Sequence, residues 1–165
     1  MLILGIDPGY AIIGYGLIDT NGMKPGSYGV IRTEAGIAIE DRLSEIYDNM
    51  CELLRMFRPD HVAIEKLYFN TNEKTAINVS QARGVIVLAC VKCGVKMHEY
   101  TPLQVKMSVV GYGRAEKAQI MDMTKRLLGL RKTPKPDDAA DAVAIALCHA
   151  RSRTSLLARL EKGTN

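Results

Sequence analysis

Four carboxylates in this sequence stand where an acid is hardest to keep: Asp7 in Gly5-Ile6-Asp7-Pro8-Gly9, Glu65 in Ala63-Ile64-Glu65, and the pair in Asp138-Ala139-Ala140-Asp141. Each is embedded in apolar sequence at a predicted strand end or helix start. An ionised carboxylate in or beside a core costs several kcal/mol unless it is paired, hydrogen-bonded or bound to a metal. No Lys or Arg occupies a comparable apolar position nearby. The chain is therefore expected to fold so that these acids meet around a divalent cation.

The 165 residues suit a single domain, which buries roughly 70% of its unfolded-state surface. With 47% apolar and 24% charged residues the composition is that of a globular protein and excludes disordered and collagen-like classes. No apolar run approaches the roughly 20 residues that span a bilayer. Met1-Leu2-Ile3-Leu4-Gly5 carries no basic leader, so no membrane association and a cytoplasmic location are expected. Of the four cysteines, Cys90 and Cys93 have half the spacing of a zinc knuckle but fall in an apolar stretch with no second pair. They and Cys51 and Cys148 read as buried free thiols.

Leu2 to Ile6 reads as a buried strand stopped by Asp7-Pro8-Gly9, Ile12 to Ile18 as a second and Ser27 to Arg32 as a third, together an antiparallel meander. From Ile39 to Phe57 apolar residues recur every three or four positions, which predicts an amphipathic helix. His61 to Ile64 is a short buried strand leading to Glu65. A helix from about Asn72 to Cys93 follows, apolar on most sides after Gly84, and its surplus face predicts a homodimer contact. Val95 to Tyr100 is the last strand, and helices are expected over Pro102 to Val110, Ala115 to Leu128 and Pro136 to His149. The pattern predicts an α/β fold, a mixed five-stranded sheet with helices on both faces. Residues 1–150 make the domain and 151–165 a polar tail expected to fray.

If the strands ending at Asp7 and Glu65 are sheet neighbours, both side chains emerge at one edge. Asp138 and Asp141, three apart on a helix, project about 60° from each other. Asp137 points about 100° away from Asp138 and reads as a helix-start residue. Ligands that are all oxygen, with no Cys or His among them, favour magnesium, with manganese as a substitute, over zinc. Four carboxylates have capacity for two ions roughly 4 Å apart, the arrangement that activates water for in-line attack on a phosphodiester. Singly, Asp7 is also a good turn residue and Asp138 a good first-turn acid; Glu65, closing a continuous apolar strand, has no such alternative.

Between Pro102 and Lys135 eight basic residues face two acids. That surplus, beside a carboxylate cluster, points to a phosphate backbone. Lys106 and Lys117 are placed closest to the substrate, with Arg114 between them. Asn72 and Lys74 belong to a polar loop suited to phosphate contacts, and Tyr68 is positioned to stack on a base, with core packing as its plainer role. His61, His98 and His149 read as structural; His149 lies about 16 Å along its helix from Asp138, too far to share a metal.

With Gly5-Ile6-Asp7-Pro8-Gly9, Ala63-Ile64-Glu65, Gln81-Ala82-Arg83-Gly84, Val109 to Lys117 and Asp138-Ala139-Ala140-Asp141-Ala142 in this order, the chain resembles the RuvC family of bacterial Holliday junction resolvases. The resemblance runs from Leu2 to about His149. It implies a ribonuclease H-like fold, a homodimer, and magnesium-dependent paired nicks across a four-way DNA junction, leaving 5′-phosphate and 3′-hydroxyl ends in recombination and repair. It also implies the RuvA–RuvB branch-migration complex as a partner. Asp7, Glu65, Asp138 and Asp141 fall on the family's catalytic acids, Lys106 and Lys117 on its substrate-binding lysines, and Tyr68 on an aromatic position. Two rivals stay open at this point: a piece of an actin-like or sugar-kinase-like nucleotide-binding protein, and a junction-binding scaffold without activity.

Overall fold

Runs of β-branched and aliphatic residues broken by Pro, Gly and Asp give three antiparallel strands, β1 (Leu2–Asp7), β2 (Ile12–Asp19) and β3 (Lys24–Arg32). In the computed structural model, which describes residues 1–67 and 73–153, β3 begins earlier than its sequence predicts. Pro25 and Gly26 are poor strand residues, but pairing of Pro25 with Ile18 and Lys24 with Asp19 extends the ladder, and an edge strand tolerates proline. The amphipathic helix α1 covers Ile39–Phe57 and stops where Arg58 turns left-handed, its N–H bonding back to Leu54. There follow β4 (His61–Glu65), α2 (Glu73–Lys92) and β5 (Lys96–Tyr100). Helix α3 (Pro102–Val110) opens on a reciprocal cap between Thr101 and Gln104. Helices α4 (Lys117–Leu127) and α5 (Asp137–Ser152) are the last elements among the described residues. No helix among the described residues is long and apolar enough to cross a membrane.

The sheet order is β3-β2-β1-β4-β5, antiparallel across the meander and parallel from β1 through β5. Side chains alternate between faces. Leu4, Ile6, Val62 and Ile64 point into one core with Ile46 and Met50 of α1 and Ile86 of α2. Ile3 and Ala63 point into the other, with Val105 of α3 and the Ala-rich side of α5. The mixed sheet with helices on both faces is thus as the pattern predicts.

What sets the position of α5 is glycine. A Cβ on Gly5 would lie 2.0 Å from the Ala142 carbonyl oxygen, and one on Gly14 the same distance from that of Asp138. Bare backbone on β1 and β2, met by alanines on the helix, lets α5 lie directly on the sheet.

Candidate active site

Because β1 and β4 are parallel with Ile6 opposite Ile64, Asp7 and Glu65 are the last residues of neighbouring strands. Period two turns both toward the face that α5 covers, since they share it with Ile3, Gly5 and Ala63. Gly14 is paired with Asp7 across the meander, and the Asp138 backbone rests on Gly14, so the first turn of α5 is delivered beside Asp7. One turn on, Asp141 reaches a cavity of about 210 Å³ that it shares with Glu65, with Lys106 of α3 and with Lys117 of α4. Glu65 and Asp141 thus line one cavity, and Asp7 and Asp138 stand close enough at the ends of β1 and β4 for the charges of all four to act on Asp7.

Their charges act on one another. Burial, then Asp141, Glu65 and Asp138, raises the Asp7 carboxyl from 3.8 to about 7, with Lys117 acting against them. Burial first and Asp141 second raise Glu65 as well, again against Lys117. Lys117 Nζ pairs with Asp141 Oδ2 at 2.7 Å. Burial lowers the pKa of that ammonium, but the hydrogen bond and charge of Asp141 outweigh it, and the group is held above its ordinary value. Lys106 and Lys117, expected closest to the substrate, both lie at these acids, and Lys117 also serves as a counter-charge to them. The cation comes from α4, far from Asp7 and Glu65 in sequence, because α4 packs against α5 and α3.

Of the residues predicted to contact substrate, Lys106 and Lys117 line the cleft. Arg114 is exposed in the connection between α3 and α4 and is not among the residues lining it. Tyr68 and Asn72 lie outside the described residues, and Lys74 is placed by its backbone alone, in the first turn of α2. Asp137 pairs with Lys135 at 2.7 Å, as suits a helix-start acid turned outward. Arg83 was quoted in sequence only within a motif. Its Nε donates to the Glu65 carbonyl at 3.4 Å and its guanidinium pairs with Glu99, which also lies 3.8 Å from Lys66. Arg83 thereby ties α2 to the backbone of a cleft acid, a role that spacing along the chain does not reveal.

A family model for crossover junction endodeoxyribonuclease RuvC matches residues 3–149. The crossover junction endodeoxyribonuclease RuvC of Brevibacillus brevis is 55% identical over 155 residues, 93% of each chain. The chain belongs to the RuvC family. Its fold is similar to that of RuvC from Thermus thermophilus, with a TM-score of 0.86 at 33% identity over 98% of this chain and 97% of that one. A structure of T. thermophilus RuvC in complex with Holliday junction substrate gives a TM-score of 0.84 at 32% identity, covering 94% and 96% of the two chains. RuvC enzymes are metal-dependent nucleases of ribonuclease H-like fold, and the cleft suits a metal on its own chemistry. All four candidate donors are carboxylates, and burial first, with the charges of Asp141, Glu65 and Asp138 after it, raises the Asp7 carboxyl to about 7. A divalent cation removes the repulsion among those charges.

Proposed function

We propose that this chain resolves four-way DNA junctions by paired hydrolysis of phosphodiester bonds, with Asp7, Glu65, Asp138 and Asp141 as its catalytic and metal-holding residues. The observation that supports the reading is a cavity lined by Glu65, Asp141, Lys106 and Lys117, with Asp7 and Asp138 near enough for the acids' charges to act on Asp7. Magnesium, two ions per cleft with manganese as a substitute, is the cofactor that an all-carboxylate donor set favours. Bound there, it would lower the pKa of the attacking water and offset charge on the departing 3′ oxygen. The chain's own residues do the rest. Asp7 gives up its proton as the cleft takes up positive charge. Lys117, paired with Asp141, would turn to a phosphate if cations satisfied that carboxylate.

Lys106, Arg114, Lys74 and Asn72 hold the DNA backbone, and Tyr68 stacks on a base near the scissile phosphate. Residues 1–150 carry the nuclease and 151–165 a polar tail. Ile77, Leu88 and Val91 leave an exposed apolar face on α2, which we assign to a homodimer contact. Two cleavage sites related by a two-fold axis match a junction of nearly the same symmetry. The chain works in the cytoplasm with the RuvA–RuvB branch-migration complex.

The deciding experiment incubates the protein with a synthetic four-way junction and magnesium. Ligatable paired nicks in strands of like polarity support the proposal; bound but uncut DNA refutes it in favour of a scaffold. Lys106→Ala should weaken junction binding and lower the slope of log affinity against log salt by about one, measured by titration at several salt concentrations. Lys117→Ala removes the charge that opposes ionisation of neither acid but favours it at both Asp7 and Glu65. Their carboxyls then hold protons to higher pH, so the pH–rate profile for cleavage should move to the alkaline side, with an unchanged profile counting against this role.

A further inference from the structure

Away from the acid cleft, the structure gathers all three histidines of the chain. His61 opens β4, His98 lies in the middle of β5 and His149 is near the end of α5. Ala63 is paired with His98 and His61 with Lys96, so period two turns both strand imidazoles to the face that α5 covers. One ring nitrogen from each can be chosen so that the three lie within 4.8 Å of one another. The ring centroids are 4.8 Å apart for His61 and His98, 5.1 Å for His61 and His149, and 4.4 Å for His98 and His149.

Three imidazoles are a costly way to fill space unless their nitrogens are satisfied. His149 is fully buried and uses both of its own: Nδ1 is 2.6 Å from the Tyr100 hydroxyl and Nε2 is 2.9 Å from His61 Nδ1. His98 Nε2, by contrast, is buried and has no hydrogen-bond partner among the described residues. His61 and His98 are themselves only half-buried, next to and on the edge strand β5, so the cluster can be reached from solvent.

We propose that His61, His98 and His149 bind a single transition-metal ion of the zinc class. Imidazole is a ligand for zinc, copper and nickel and a poor one for magnesium or calcium, which makes the site different in kind from the carboxylate cleft. Tyr100 serves as the outer partner. By accepting from His149 Nδ1–H it fixes the tautomer that leaves the Nε2 lone pair directed at His61. On metal uptake His61 carries its proton on Nε2 and offers Nδ1, and His98 Nε2 gains the partner it lacks. Zinc–nitrogen bonds of about 2.0–2.1 Å place donors about 3.3 Å apart in a tetrahedron, so the rings would draw together on binding.

The rings are in the right protonation state. Burial above all, then the neighbouring histidines and Arg153, pulls His149 down to about 3, and burial leads the lowering of His61 and His98 too. Lys96 and Arg153 face the cluster with positive charge and Asp60 with negative. Two nearby cations discourage a weakly held hard ion and leave those that bond strongly to imidazole. A bound ion would join β4, β5 and the far end of the helix whose first turns carry Asp138 and Asp141.

Cobalt(II) and zinc(II) added to metal-free, full-length protein test this. Cobalt should give the intense visible bands of a four-coordinate site at one ion per chain, zinc should displace it, and zinc should raise the melting temperature. Asp7→Asn, altered only in the acid cleft, should keep both responses. His98→Ala and His61→Gln, both at half-buried positions, should lose them, and either variant with a native circular dichroism spectrum decides the point. The proposal is overturned if the wild type shows no four-coordinate bands, if folded histidine variants keep them, or if Asp7→Asn removes them.

Discussion

Asp7→Asn should cut junction cleavage by at least about 100-fold, the upper end of what removing a metal ligand's outer partner costs, while leaving junction binding intact and making the metal-free protein more stable. The last effect follows from the Asp7 carboxyl being raised from 3.8 to about 7 by burial and by Asp141, Glu65 and Asp138. Between those values the native state binds a proton that the unfolded state has released, so stability falls as pH rises through the window. Above about pH 7 the native protein carries the whole penalty, roughly 4 kcal/mol at most. An asparagine carries no charge and is spared it.

Thermal melts in a chelator should therefore show Asp7→Asn above the wild type at pH 8 and level with it near pH 4. Magnesium should reverse the order at pH 8, because the carboxylate that destabilises the metal-free fold is the one proposed above to hold the ion. The same proton competes with the metal, so the magnesium concentration for half-maximal cleavage should fall as pH rises toward about 7. A variant that melts below the wild type at pH 8 in chelator would show that Asp7 is not held among repelling charges.

Gly5→Ala should destabilise the fold severely. Its Cβ would lie 2.0 Å from the Ala142 carbonyl oxygen, 2.7 Å from the Ala146 nitrogen and 2.9 Å from the Ala146 Cβ. All three sit on α5, and two are backbone atoms that no rotamer change can move. The helix must lift off β1, at a cost of about 3 kcal/mol or more, which corresponds to a fall in melting temperature of roughly 6–12 °C for a chain of this size. Because the same helix delivers Asp138 to the side of Asp7, cleavage should also fall well below the new melting point. Gly84→Ala is the matched control. Among the described residues of a single chain nothing lies within 4 Å of a Cβ at Gly84, in the interior of α2, so for the isolated chain that change should be neutral or stabilising by up to about 1 kcal/mol. Calorimetry of the pair checks both; equal melting temperatures would mean that α5 does not depend on bare backbone at β1.

The comparison between chain and fold turns on which residues meet through local periodicity and which through distant packing. Ile39–Phe57 and Pro102–Val110 have the bounds that their spacing and caps predict. The start of β3 does not, because a partner strand, not propensity, holds Lys24 and Pro25 in the ladder. The acids were legible because a carboxylate closing an apolar strand has no local explanation. Lys117 as their counter-ion, Arg83 as a tie to Glu65, and the histidine cluster were not, since each depends on how helices lie across the sheet.

From sequence alone come the identity of the four acids, the element types and the mixed sheet: apolar period and the expense of a stranded charge are properties of neighbouring residues. Only the tertiary structure decided what surrounds those acids and what joins His61, His98 and His149. Both rest on the close seating of α5, where glycine on β1 and β2 meets alanine on the helix, a contact between surfaces more than 100 residues apart in the chain.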